Sequence, residues 1–250
     1  MQRPSVLLGF GALCLVIFLL TSMPASVFSY IAGFAGVKVV DPTGSVWNGQ
    51  ARSIRADGVL LQRTHWKLHP AALLTGQLRI DLDSRLIDGF VRTQLSLRPG
   101  SNVVLRNLEL ASSVQGLSGI AHLPVNQGQL SLKFNLLELN NAWPVAAIGE
   151  LRVRDIPLGL AGSAAAASPA GFRLLFDQPE PAQALVGVLN DTDGPVELEG
   201  ELRLTPPRNY AVDARARVRA GASDEIRQGL LLLGAEASQG WRTISFAGSL

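Results

Sequence analysis

The feature that most limits what this chain can fold into is a period of two. Leu78, Ile80 and Leu82 alternate with Gln77, Arg79, Asp81 and Asp83. Val91, Leu95 and Leu97 alternate with Arg92, Gln94, Ser96 and Arg98. The pattern returns at Leu130–Leu136, at Val196–Leu204 and at Tyr210–Val218. Successive side chains on a strand point to opposite faces, so each segment has one apolar face and one wet face. Antiparallel sheets have this character, whereas all-parallel sheets need apolar residues on both faces. Pro206-Pro207 breaks the pattern between two such segments and reads as a hairpin turn.

Helix signals are few. Pro70-Ala-Ala-Leu-Leu74 reads as one short turn closed by Gly76. Ser223 to Leu233 reads as a helix, with Ser223 as cap, acids in the first turn and Gly234 at the end. Ala161 to Gly171, with a soft start as early as Gly159, reads as a linker or loop, with a short Ala helix as the alternative. The expected fold is mainly β, with one or two short helices.

No charged side chain occurs between Arg3 and Lys38. Val6, Leu7, Leu8, Leu13, Leu15, Val16, Ile17, Phe18, Leu19 and Leu20 form its apolar heart, and a milder stretch continues to Phe28. A spanning helix needs about 20 apolar residues, which 6–28 supplies. The competing reading is a cleaved signal peptide. Thr21 to Phe28 offers no clean small-x-small cleavage site, which favours an uncleaved anchor. Arg3 and the amino terminus place residues 1–5 in the cytoplasm. The body, 38–250, is then expected outside it, and after Cys14 that body has no cysteine.

A short pattern echoes through the body. Gly-[Gln/Glu]-Leu-[Arg/Ser]-aliphatic starts at Gly76, Gly128, Gly149 and Gly200. The second pair repeats the first at displacements of 73 and 72 residues. Trp66 and Trp143 precede the first member of each pair. The duplication reading gives two similar antiparallel β units with a boundary near 125–145. The alternative is that glycine merely opens strands here.

Chemistry is sparse. His65, Lys67 and His69 share the wet face of a strand, where the two histidines lie ~13 Å apart, too far to share a metal. There is no Gly-x-Ser-x-Gly elbow and no phosphate-cradling glycine loop. Cys14 lies in the anchor. Basic and acidic residues nearly balance, 22 against 20, so no strong field for nucleic acid exists. Apolar residues make up 47% of the chain, which excludes intrinsic disorder. Arg215, Arg217 and Arg219 form a basic strand face. It is either a charged edge kept soluble or a surface for a partner or acidic headgroup. The expectation is no catalytic site, no metal, no cofactor and no nucleic acid.

Two stretches carry a family resemblance. They are Thr43-Gly-Ser-Val-Trp-Asn-Gly-Gln-Ala51 and Trp66-Lys-Leu-His-Pro-Ala-Ala-Leu-Leu-Thr-Gly-Gln-Leu78, with Gly116-Leu-Ser-Gly-Ile120 downstream. Behind a single N-terminal span, they resemble the type II secretion system protein N family. The wider resemblance is to AsmA-like proteins, whose repeated strands form an open, apolar-lined groove. The resemblance implies a non-enzymatic, single-pass inner-membrane protein with a periplasmic domain. It also implies other secretion components as partners, in a machine that moves folded proteins across the outer membrane. The AsmA-like alternative implies lipid as the ligand. The motif residues Gly44, Val46, Trp47, Gly49, Ala51, Trp66, Pro70, Leu73, Leu74 and Gly76 are read as structural. Trp47→Ala is expected to cost about 3–5 kcal/mol if that ring is buried.

Overall fold

The computed structural model describes residues 18, 22–34, 36–56, 59–100, 102–117, 127–158, 168–232, 235–236 and 238–249. The chain begins with α1 (Ala25–Phe34), β1 (Lys38–Val40), β2 (Thr43–Gly44), β3 (Asn48–Ala56) and β4 (Val59–Leu68). Then come α2 (Pro70–Leu73), β5 (Leu78–Leu86), β6 (Gly89–Arg98), β7 (Asn102–Ser113) and β8 (Gln129–Asn140). Next are β9 (Trp143–Leu158), β10 (Ser168–Gln178), β11 (Leu185–Asp193), β12 (Val196–Thr205) and β13 (Asn209–Val218). The last elements are α3 (Asp224–Leu232), β14 (Ala235–Glu236) and β15 (Arg242–Ser249).

Among the described residues, all fifteen strands belong to one antiparallel sheet. From β3 to β13 every strand pairs with its neighbours in sequence, and β15 then lies against β13. The alternation in the sequence sets the register, because a slip by one residue would turn every apolar side chain to water. On one face the row Val91, Leu110, Leu132, Leu151, Leu174 and Leu189 runs straight across β6 to β11. On the other face Asp83, Arg92, Glu109, Lys133 and Glu150 stand in register, alternating in sign from strand to strand. Opposite charges facing across strands favour this pairing, and like charges would oppose it.

The core is a one-sided layer. Leu108, Phe134, Ala147, Leu174, Phe176 and Leu185 form its buried cluster, with half-buried leucines packed around it. Among the described residues no second sheet covers this face. Short helices pack at its two ends. Near the first strands lies α1. Near the last, α3 buries Ile226 and Leu230, and the facing β13 alanines Ala214 and Ala216 are also buried. Ser223 caps α3 by accepting the Ile226 N–H, with Asp224 and Glu225 in its first turn.

Several expectations change. A third helix, α1, stands beside the expected two, and it contains Phe28, the last residue of the expected span. Ser168–Gly171, read as loop, is the start of β10, while 159–167 lies outside the described residues. Strands β7, β8 and β9 pair with one another over long registers. The four echoed glycines occupy two kinds of position. Gly76 and Gly128 precede strands, whereas Gly149 and Gly200 stand inside β9 and β12. The strand-opening role therefore holds for the first two only. The Pro206-Pro207 hairpin is present as expected, closing Thr205 against Asn209.

Candidate functional site

The motif Thr43–Ala51 folds into a tight turn that serves as a socket. Strand β2 pairs back on the start of β3, and Ser45 Oγ accepts the Asn48 N–H at 3.0 Å. Val46 is buried, and its carbonyl accepts the Trp66 indole N–H at 3.0 Å. The indole lies directly over Gly49 in the next strand, so any side chain at 49 would occupy the ring's space. Phe28 of α1 stacks on the other side of Trp66, with ring centroids 4.9 Å apart. Ala25, Ala51 and Ile54 complete the cluster. Pro24 bridges to Ser45, and the Val46 N–H donates to the Met23 carbonyl at 2.9 Å. The socket thus holds the chain just after the N-terminal apolar segment.

Trp66 is the buried tryptophan of this motif, 2% exposed, while Trp47 is only half-buried. The large cost expected for Trp47→Ala therefore moves to Trp66. The Trp47 backbone is fixed, because its carbonyl accepts the Leu68 N–H at 2.7 Å. Next to the socket, Thr64 and Ser84 are fully buried and bonded to each other at 2.8 Å, and Ser84 Oγ donates on to the Gln62 carbonyl. Ser84→Ala strands the Thr64 hydroxyl. It is expected to lower unfolding free energy by about 1–3 kcal/mol, and the Thr64→Val/Ser84→Ala pair by less than the sum of the single changes. Urea titration of the three variants measures this.

Pro70 begins α2. Leu73 and Leu74 point outward, 45% and 90% exposed, and Gly76 turns the chain in open space. Packing therefore accounts for Gly44, Val46, Gly49, Ala51 and Trp66 but not for the two leucines. Of the anchor residues, Val6, Leu7, Leu8, Leu13, Leu15, Val16, Ile17, Leu19 and Leu20 lie outside the described residues. Phe18 is described and exposed. No helix among the described residues is long and apolar enough to cross a membrane.

The basic face of β13, read as a charged edge or a partner surface, is internally paired. Arg215 bonds Glu199, Arg217 bonds Glu197 and Arg219 bonds Asp191. Arg215 and Arg217 also stack on the Trp241 ring, 5.1 and 4.6 Å from its centroid. Strand β13 lies between β12 and β15, so it is not an edge. Asp191 is almost fully buried and also accepts the Leu198 N–H. Removing Arg219 would leave a buried carboxylate short of its charge partner.

The polar face carries one perturbed acid. Asp81 accepts bonds from Gln94 at 2.8 Å and from His69 at 2.7 Å, in a shallow depression also lined by Lys67 and Arg92. Burial is the largest influence and pushes its pKa up. The two hydrogen bonds and the His69 and Lys67 charges together outweigh it, so the pKa lies below the usual carboxylate value. A depressed folded pKa gives stability that is present above the unfolded value of about 3.9 and lost as pH falls through the folded value. Asp81→Asn is therefore expected to show a smaller drop in urea midpoint between pH 6 and pH 3 than the unmodified chain. Among the described residues no group of three or more His, Cys, Asp or Glu could hold a metal ion.

Fold and site together define a class: a single-sheet β scaffold with one apolar and one charge-laddered face, whose first strands form a socket for an N-terminal helix. The chain belongs to the type II secretion system protein N family, whose model, described as type II secretion system (T2SS), protein N, matches residues 35–245. It is also similar to the type II secretion system protein N of Vibrio cholerae serotype O1, 40% identical over 47 residues. That match covers 19% of each chain, so it spans only a fifth of the relative's length. No solved structure matches.

Proposed function

We propose that this chain is an accessory component of a type II secretion system. It acts as a non-catalytic, membrane-anchored periplasmic module that supports export of folded proteins across the outer membrane by contacting other secretion components. The family match over most of the chain carries this reading. The uncharged N-terminal segment, and the socket that grips the chain directly after it, support the anchor in the inner membrane. Deleting the chain from its host is the test. Secreted proteins are expected to accumulate in the periplasm, and an anchored copy is expected to restore release. Normal release in the deletion strain would sink the reading.

A second reading has its own supporting observation. The apolar row across β6 to β11 has no second sheet over it among the described residues. A sheet with one apolar face must cover it or hold something apolar there. An AsmA-like groove that binds or transfers lipid is that alternative. Normal secretion with altered outer-membrane permeability or lipid composition in the same strain would favour it. Native mass spectrometry of the purified chain without bound lipid would count against it.

A further inference from the structure

We propose that Leu73 and Leu74, at the end of α2, dip into the bilayer surface beside the N-terminal anchor. They would make this corner of the sheet a second, non-spanning membrane contact. The proposal rests on the anchor reading given above.

Three pieces of chain meet at one end of the sheet. The stretch leading out of the apolar segment arrives there, since Met23 and Pro24 are tied to Val46 and Ser45. Strand β4 ends there, with the Leu68 N–H bonded to the Trp47 carbonyl. The α2 excursion leaves from the same point and is closed where the His69 N–H donates to the Arg79 carbonyl at 2.9 Å. It is not a slack loop. The N–H groups of Leu74, Thr75, Gly76 and Gln77 all bond back to carbonyls within it, and Thr75 Oγ1 adds a further bond to Ala72 O.

This ordered turn holds two large apolar side chains away from the sheet. Leu74 is 90% exposed and Leu73 is 45% exposed. Two adjacent leucines fixed in water carry a free-energy cost that a purely structural turn would avoid, since apolar side chains are favoured out of water. Phe18, one helical turn before Ser22, is also exposed. The apolar segment from Val6 to Leu20 directly precedes this point. A bilayer crossed by that segment is therefore the apolar phase nearest to the leucines. Short apolar faces lie at that depth in membrane-surface contacts. Two contacts at one corner would fix the tilt of the sheet on the membrane, which a single span does not do.

The test uses the full chain, with Cys14→Ala, in phosphatidylcholine–phosphatidylglycerol vesicles. A polarity-sensitive fluorophore is attached at Leu74→Cys or, as control, at Ile87→Cys. Ile87 is also exposed but lies past the far end of β5, roughly 30 Å away. The expected result is blue-shifted emission at 74 and at least ~2-fold quenching by nitroxide-bearing lipid, with neither at 87. Flotation of the vesicles reports the anchor separately. A chain that floats while position 74 behaves like position 87 overturns the corner contact and leaves the anchor standing. Shielding at 74 without quenching from the lipid also overturns it, because the leucines are then covered by protein. A chain that does not float overturns the anchor and the corner with it.

Discussion

Gly149→Ala is expected to lose about 2–5 kcal/mol of unfolding free energy, the sum of a strained backbone and an overpacked site. Gly149 stands inside β9 with φ +152, a conformation that side chains disfavour. A methyl group there would overlap the Lys133 carbonyl oxygen and come within 2.8 Å of the Phe134 ring. Phe134 and Phe176 flank the glycine from the two neighbouring strands and approach each other to 6.0 Å between centroids. Both rings belong to the buried cluster, so relaxing around a new methyl would disturb its centre. Gly229→Ala is the control. Gly229 sits within α3 with open space around it, and there alanine should gain about 0.5–1 kcal/mol from helix propensity. A pair of urea curves with equal slopes decides the matter. Equal midpoints for the two variants would show that the close contacts at Gly149 relax freely.

Trp66→Ala is expected to cost about 3–5 kcal/mol, in the range for large aromatic truncations in a core. The ring is the shared surface of the socket. It covers Gly49, stacks on Phe28 and donates to Val46. Its loss should also free α1, seen as faster amide exchange across Ala25–Phe34 while β7 to β9 stay protected. Trp66→Phe keeps most of the packing and loses the indole bond, for about 1–2 kcal/mol. Uniform loss of protection along the whole sheet would refute the idea that this ring acts locally on α1.

The strands were legible because each half-buried strand writes its two faces directly into the sequence. Leu78, Ile80 and Leu82 turn to the apolar face as their spacing requires, and the hairpin at Pro206 and the Ser223 cap are equally local signals. What escaped depends on contacts far apart in sequence. Phe28 reads as the tail of a span because its neighbours are uncharged, and only Trp66, remote in the chain, shows that it belongs to the socket. Gly149 reads as one of four similar glycines, and only the two phenylalanines from adjacent strands make it singular. The guanidinium groups of Arg215, Arg217 and Arg219 look free until the register brings Glu199, Glu197 and Asp191 alongside. The motif around Trp47 marks the right place, but the buried ring is Trp66.

The strand order has a consequence for how the molecule is made. From β3 to β13 each strand finds its partner in the strand just before it. Most of these loop closures are therefore short, unlike in folds that must wait for distant segments. A chain emerging amino end first can zip its sheet together in order, with each new strand templated by its predecessor. The growing edge is covered as soon as the next strand arrives. Such a sheet behaves as a one-dimensional array, in which damage at one strand is felt mainly by the strands beside it.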